Sequence, residues 1–275
     1  MRKSLYLVLL AVLAISPVHA IASFNSLAVI GLTADQRLIV FNEYFPSRTF
    51  PLGKVSGLTV DTALIGIDYR VQDGQLYGVG NAGGVYTLST GNAAATLVNR
   101  LTIALEGTSF GVDFNPVADR LRVISNTGQN LRHNVNAGGV TLLDGTLTYT
   151  APAPAVGVIG AAYTNNDLDA NTATTLFDLD STLDQIVLQV PANAGTLSPT
   201  GKLTVDIEGP VGFDIYSTVR RGATVHLQAL ATLATPVNGF VGLYSIQLLT
   251  GKATLRGAVK SPSPVIDIAI PLNQL

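Results

Sequence analysis

The sequence predicts an all-β fold, a single five-bladed β-propeller, from an internal repeat, regularly spaced turn signals and a terminal strand that completes the first repeat. Four stretches share an apolar residue, Gly, any residue, Asp or Ala, and an apolar residue: "IGIDY" at 65, "FGVDF" at 110, "IGAAY" at 159 and "VGFDI" at 211. Their glycines are separated by 45, 49 and 52 residues. A four-stranded propeller blade takes about 40 to 50 residues, so each stretch is predicted to be the innermost strand of a blade.

Turn signals divide each repeat into four short strands. In the second unit the predicted strands are 64–71, 75–80, 84–89 and 95–98, separated by "QDG", "NAG" and "TGN". The third unit reads "FGVDFNP", "DRLRVIS", "NLRHNV" and "GVTLLDG", and the fourth reads "VIGAAYT", "TTLFDLD", "DQIVLQV" and "GTLSPTG". In the fifth, "LYSIQLLTGKATLRG" at 243 repeats the pattern of "VYTLSTGNAAATLV" at 85.

The two ends of the chain predict how the ring closes. The first unit, "SLAVIGL", "QRLIVFN" and "FPLGKVSGL", supplies three strands and lacks the innermost one. Near the other end, "PVIDIAI" at 264–270 matches that missing strand, with Asp267 at the place of Asp68. A terminal strand that completes the first blade removes an open sheet edge, which favours five blades. Six blades, or a pair of β-sandwiches, are the alternatives.

The first twenty residues have the pattern of a secretory signal peptide. A basic "MRK" is followed by the apolar "SLYLVLLAVLAI" and by "SPVHA", which predicts cleavage after Ala20, or after Ala22 as second choice. The apolar run is shorter than the ~20 residues of a membrane span. We therefore expect residues 21–275 to form one propeller domain without a transmembrane anchor, secreted or periplasmic.

Composition excludes several kinds of partner and site. Removal of Arg2 and Lys3 leaves 14 basic residues against 18 acidic ones, a net charge of −4, which argues against a nucleic-acid partner. The absence of cysteine excludes disulfides, thiolate zinc sites and a cysteine nucleophile. No phosphate-binding loop, dinucleotide fingerprint or serine nucleophile elbow is present. The sequence therefore gives no reason to expect a cofactor, with calcium as the exception considered below.

Several of these stretches together resemble one protein family. "LIGIDYRVQDGQLYGVGNAGGVYTL", "FGVDFNPVADRLRVISNTGQNLR", "AAYTNN" and "TTLFDLDSTLD" are similar to exported bacterial proteins grouped as domain of unknown function 4394. The similarity extends over nearly the whole mature chain, and the stretch in the third unit is its most specific part. It implies a β-propeller behind a signal peptide, and it implies no catalytic residues.

Aspartates recur at one position of the predicted innermost strands. Asp68, Asp113, Asp214 and Asp267 are equivalent, and Ala162 interrupts the series. Carboxylates that converge on a central channel can hold Ca²⁺ or Mg²⁺, because both ions prefer oxygen ligands. The alternative interpretation is structural, since an Asp beside a Gly commonly accepts backbone N–H bonds at the end of a strand.

A polar stretch around "SNTGQN", residues 125–130, is predicted to join the second and third strands of the third blade. Such connections lie on the propeller face where ligands commonly bind. Period-two alternation places neighbouring arginines on one side of the blade, where guanidinium groups beside amides suit a carboxylate, a sugar or an acidic loop. The candidate ligand-binding residues are Arg120, Arg122, Asn126, Gln129, Asn130 and Arg132. The alternative is a network between blades, with Asp113 or Asp119 as partners.

A second candidate calcium site lies in the connection "NNDLDANTATTLFD" of the fourth unit. Asp167, Asp169, Asn171 and Asp178 fall at positions 1, 3, 5 and 12 of a calcium-loop template. Thr172 stands where the template has Gly, and a short acid replaces the bidentate Glu. Turns rich in Asp and Asn are also common without a metal.

These observations favour an exported propeller that binds a partner protein or a small polar ligand without catalysing a reaction. The first alternative is a hydrolase or lyase assisted by a divalent metal on the channel carboxylates. The second is a structural protein of the envelope or extracellular matrix.

Overall fold

The computed structural model describes residues 26–236 and 240–275. The predicted signal peptide and its cleavage site lie outside the described residues. Twenty strands occur in the described part of the chain, together with one short 3₁₀ turn, Ala192–Ala194. In chain order the strands are β1 Ala28–Thr33, β2 Arg37–Asn42, β3 Phe45–Lys54, β4 Leu64–Tyr69, β5 Leu76–Gly80, β6 Gly84–Leu88, β7 Ala95–Arg100, β8 Phe110–Asn115, β9 Arg120–Ser125, β10 Asn130–His133, β11 Thr141–Leu143, β12 Val158–Tyr163, β13 Leu176–Asp180, β14 Gln185–Gln189, β15 Leu197–Lys202, β16 Val211–Arg220, β17 Ala223–Ala234, β18 Val241–Ile246, β19 Ala253–Ala258 and β20 Val265–Ala269.

These strands form five antiparallel four-stranded blades, which confirms the predicted propeller and its blade count. Blades 2 to 5 are β4–β7, β8–β11, β12–β15 and β16–β19. Blade 1 has the order β20-β1-β2-β3, so the last strand of the chain is its innermost strand, as predicted. Each innermost strand contacts the next around a central channel, and β16 contacts β20 to close the ring.

Two strand predictions are corrected by the structure. The outermost strand of blade 1, predicted at 50–58, is Phe45–Lys54 and therefore contains Pro46 as well as Pro51. Proline is tolerated there because an edge strand has one set of backbone groups unpaired. The first two strands of blade 5, β16 and β17, have 10 and 12 residues and extend beyond the blade as a long hairpin.

The hydrophobic core is divided into five clusters, one between each pair of adjacent blades. Because a blade buries both faces against its neighbours, the middle strands are apolar on both sides, as in β5, which is buried at every residue. Tyr86 and Tyr244, at equivalent positions of the repeat, are both buried.

The repeated glycine allows the innermost strands to approach one another closely. A Cβ atom at Gly111 would lie 2.8 Å from the backbone nitrogen of Ala161 in the next blade. At Gly212 it would lie 2.7 Å from the backbone nitrogen of Ile268. The glycine in the repeat is therefore required by contact between blades and not by turn geometry.

Replacing Gly111 by Ala should lower the free energy of unfolding by about 1–3 kcal/mol, because the added methyl group forces β8 away from β12. Gly91→Ala is the matched control, since the nearest atom to its new Cβ is 3.6 Å away. Urea unfolding of both variants checks the prediction, and equal midpoints would contradict it.

Candidate functional site

The four repeated aspartates link neighbouring blades around the channel. Each side chain is buried and accepts a hydrogen bond from a backbone N–H of the next blade. The bonds are Asp267 Oδ2 to Ile67 N at 2.7 Å, Asp68 Oδ2 to Phe114 N at 2.7 Å, Asp113 Oδ1 to Tyr163 N at 3.0 Å and Asp214 Oδ2 to Ile270 N at 2.6 Å. These bonds favour the structural interpretation of the aspartates, with backbone donors that come from the adjacent blade.

The contact between blades 4 and 5 is made differently, because Ala162 replaces the aspartate there. Asn166 donates its side-chain amide to the carbonyl of Ile215 at 3.1 Å, and its backbone N–H to Ser217 Oγ at 2.9 Å. Ala162 itself packs in the apolar cluster with Phe213. An amide and an apolar contact thus replace the carboxylate at this junction.

Burial and mutual repulsion make these carboxyl groups hard to ionise. Burial raises the pKa of Asp68, Asp113 and Asp267 well above the usual range, and repulsion from neighbouring carboxylates adds to the effect. Burial also raises the pKa of Asp214, to about 6. At neutral pH the ring therefore carries fewer negative charges than four free aspartates would.

Three of the four carboxylates come close enough to share a cation. Asp68, Asp113 and Asp214 each offer an oxygen, and these oxygens lie within 4.8 Å of one another. That separation fits Ca²⁺, whose oxygen ligands lie at about 2.3–2.6 Å. Asp267 is not part of this group, and both of its oxygens, like both oxygens of Asp214, accept backbone N–H groups. The channel cation stays a prediction, in which Asp267 has the weakest part.

Metal analysis of protein purified without chelator tests that prediction. A channel cation requires about one equivalent per chain and a lower melting temperature in EDTA, because a ligand that binds only the native state stabilises it. Asp113→Asn should abolish both effects, whereas Asp169→Asn, in the connection between β12 and β13, should abolish neither. Metal that is absent, or that persists in Asp113→Asn, would contradict a channel site.

The raised pKa values also predict how stability depends on pH. A carboxyl whose folded pKa is raised contributes stability that is complete below the unfolded pKa of about 3.9 and is lost as pH rises through the folded value. For Asp214 that window ends near pH 6. Asp113→Asn removes one of the repelling charges, so it should gain stability relative to the wild type as pH rises from about 4. Chemical denaturation between pH 4 and 8 checks the sign, and a constant difference between the two proteins would contradict it.

The arginine stretch of the third blade forms a buried network in the structure. Arg122 donates to Asn130 Oδ1 and Asp144 Oδ2, both at 2.7 Å, and to Asn193 Oδ1 of blade 4 at 2.8 Å. Arg132 lies opposite Arg122 in the register of β9 and β10. Its guanidinium donates to the same Asp144 carboxylate. Arg120 donates to the carbonyls of Ala118 and Asp119.

The amides of "SNTGQN" hold neighbouring backbone segments. Asn126 Oδ1 accepts the N–H groups of Thr108 and Ser109, and Gln129 bonds to the backbone of Ala104 and Glu106. Asn130 donates to the carbonyls of Gly145 and Ala192. The stretch does join β9 to β10, as predicted. Its role in ligand binding stays a prediction, and these contacts favour a structural role.

Three of the proposed calcium-loop residues are joined by turn hydrogen bonds, since Asp167 Oδ1 accepts the N–H of Asp169 and Asp169 Oδ1 accepts from Asn171. Asp167 accepts the N–H and hydroxyl of Thr224 from the β16–β17 hairpin, while Asp169 accepts the N–H of Asn171. Asp178 lies in β13, fully buried, and neither of its oxygens has a hydrogen-bond partner within the described residues. Calcium at this loop stays a prediction without a converging set of ligands.

Within the described residues, two of the cavities lie among the connections that enter the innermost strands. One, of about 270 Å³, lies at the mouth of the channel, where Ile65, Phe110 and Ile159 are among its lining residues. The other, of about 850 Å³, lies where the connections of blade 5 meet the start of blade 1, and we call it the seam cavity. Its lining is mostly apolar and includes Phe240, Val241, Val259, Pro262 and Pro264.

The residues that line the seam cavity include polar side chains without a hydrogen bond or an ion pair among the described residues. The hydroxyls of Thr235 and Ser261 are buried and have no hydrogen-bond partner among the described residues. Glu208 and Lys260 are exposed lining residues and form no ion pair in the described part of the chain. Sequence reasoning missed this site, whose only local signal is the "SPSP" run at 261–264.

The five four-stranded blades define a five-bladed β-propeller. The family model described as "Domain of unknown function (DUF4394)" matches residues 37–269, and the chain belongs to that family. No curated protein matches the sequence. In the described residues, no helix is long and apolar enough to span a bilayer.

Several solved structures are similar to this chain at low sequence identity. A chain of the nidogen/laminin complex has a TM-score of 0.51 and 11% identity, with 91% of this chain and 100% of that chain covered. A Bacteroides thetaiotaomicron protein of unknown function has a TM-score of 0.47 and 12% identity, with 83% and 55% covered. Myxococcus xanthus glutaminyl cyclase has a TM-score of 0.38 and 12% identity, with 75% and 69% covered. Identities this low establish the fold alone.

Proposed function

We propose that the protein is an exported, non-catalytic binding module whose ligand site is the seam cavity. The observation that carries this proposal is the mostly apolar cavity of about 850 Å³, which has Thr235 and Ser261 among its lining residues. Small-molecule sites are commonly apolar clefts of about 300–1,000 Å³ with a few polar groups that fix orientation.

The chemistry of the lining defines the class of ligand. Apolar walls suit a hydrophobic body, and the exposed charged lining residues Glu208 and Lys260 suit a polar head group. The ligand is therefore a small amphiphilic molecule, or an apolar side chain of a partner protein with a neighbouring polar group. Both fit the connections of a rigid frame, where binding sites are commonly found.

Filling the cavity should abolish binding. Wild-type protein is expected to bind 1-anilinonaphthalene-8-sulfonate, an apolar anion, at one saturable site, and Ala258→Phe should weaken that binding by about tenfold or more. Ala258 lines the cavity, whereas Ala118, in the exposed turn between β8 and β9, does not. Ala118→Phe is therefore the matched control. Equal dye affinity in the two variants, measured by fluorescence titration, would contradict the proposal.

The contribution of the Thr235 hydroxyl to stability can be measured without changing the volume of the cavity. Thr235→Val keeps the shape and removes an unpartnered group, so it should leave the free energy of unfolding unchanged or raise it by about 1 kcal/mol. Thr200→Val should lower it, because that hydroxyl donates to the carbonyls of Ile186 and Leu248. Urea unfolding compares the two, and a loss of stability in Thr235→Val would show that this hydroxyl has a structural role.

A second candidate function, a hydrolase or lyase assisted by a divalent metal, is supported by the three converging carboxylates of the channel. It predicts turnover that requires added metal and is lost in Asp113→Asn, but is retained in Ala258→Phe. The non-catalytic proposal predicts no turnover of lactones, glycosides or phosphoesters in either the presence or the absence of metal.

A further inference from the structure

Charge is unevenly distributed along this chain. Residues 44–60 and 215–266 contain seven Lys and Arg and no Asp or Glu. The rest of 26–275 contains the other seven basic residues and all 18 acidic ones. Two segments of a chain with a net negative charge are thus entirely free of acid.

The fold brings parts of these two segments together. Strand β3 of blade 1 contacts β19 of blade 5, and Thr49 donates its hydroxyl to the carbonyl of Lys260 at 2.5 Å. The guanidinium of Arg256, in β19, lies over the ring of Tyr44 at 5.2 Å. Residues that are far apart in sequence therefore form one surface at the outer edge of the ring.

That surface combines exposed aromatic rings with positive charge. Tyr44, Phe45 and Phe50 are 51%, 58% and 51% exposed. Arg48 lies over the ring of Phe45 at 5.5 Å. We call the set of six residues the basic edge: Tyr44, Phe45, Arg48, Phe50, Arg256 and Lys260.

Two of the three cations of the basic edge have no ion-pair partner among the described residues. Arg48 and Lys260 form no ion pair with any described residue, and the closest carboxylate to Arg256 is that of Glu43, at 3.8 Å. Glu43 is buried and also accepts a hydrogen bond from Leu27 N. An approaching molecule therefore meets the cations and the rings and not the carboxylate.

We propose that the basic edge docks an acidic, aromatic-containing segment of a partner protein. Aromatic residues and arginine are enriched where protein interfaces concentrate their binding energy. Complementary charge specifies an acidic partner. Three cations among three rings are too few for the clustered Lys and Arg of a nucleic-acid surface. Pro46 and Pro51 remove backbone donors from β3, so the partner binds through side chains and not as an added strand.

A synthetic glutamate–tyrosine copolymer provides a defined probe, with poly-glutamate for comparison. The full mature chain should bind the copolymer more tightly than poly-glutamate, and both interactions should weaken as salt is raised. Arg48→Gln/Lys260→Gln should weaken copolymer binding by about tenfold. Phe45→Ser/Phe50→Ser should remove the preference for the copolymer while retaining weaker, salt-sensitive binding. All four side chains are exposed, so the variants are expected to fold, and circular dichroism checks this.

Arg220→Gln/Arg221→Gln is the matched control, because it removes the same charge from the exposed turn between β16 and β17. It should leave copolymer binding unchanged. Ala258→Phe should also leave it unchanged, although Lys260 borders the seam cavity. The copolymer therefore tests the proposal for the basic edge, and the dye tests the proposal for the seam cavity.

Several results would overturn the proposal. Copolymer affinity that falls equally in the control double variant would show attraction to net charge alone. Tighter binding to heparin or to vesicles containing anionic lipid than to the copolymer would assign the basic edge to a polysaccharide or a membrane. Self-association by sedimentation that is lost in Arg48→Gln/Lys260→Gln would assign it to a second copy of this chain.

Discussion

The structure depends on the close contact between neighbouring innermost strands, which the repeated Gly and Asp make together. The glycine lets one strand approach the next within the distance that a Cβ would occupy. Two residues later, the aspartate accepts an N–H of that neighbouring strand, as Asp113 does from Tyr163. Since β20 takes part through Asp267, this contact also fixes the end of the chain to its beginning. A propeller without disulfides is closed by these bonds and by five apolar clusters.

The same arrangement makes ionisation of the aspartate side chains unfavourable. Four carboxyl groups are buried around one channel, where burial and repulsion oppose ionisation. Protons shared among the carboxyl groups would remove negative charge, whereas a bound cation would neutralise it. The hydrogen bonds from the next blade remain in either case. The pH dependence of stability and the metal content are therefore linked, because a cation that holds the carboxyls ionised lowers their pKa and removes the stabilisation at acid pH.

The ring architecture could be predicted because the blades recur in the sequence at a regular spacing. The hydrogen-bond partners of single polar residues could not be predicted from the sequence. A Gly-x-Asp repeat near every fiftieth residue identifies equivalent strands without any knowledge of contacts. The partner of Arg122 is Asp144, in the connection that leaves blade 3, and nothing local marks it. The length of the β16–β17 hairpin was missed because the repeat identifies only its first five residues, "VGFDI". The seam cavity arises from three connections that are distant in sequence, so no window of the sequence contains it.

The two proposed binding surfaces both lie where blade 5 meets blade 1, and the way the ring closes gives a physical reason. At every junction, including this one, the chain passes from the outermost strand of one blade to the innermost strand of the next. Here it passes from β19 to β20, and blade 1 then takes its other three strands from the opposite end of the chain. The outer strands at this junction, β3 and β19, therefore come from segments more than 200 residues apart, as the bond from Thr49 to Lys260 shows. An apolar cavity and positive charge therefore meet where β3, from the first repeat, contacts β19 and where the β19–β20 connection lines the cavity.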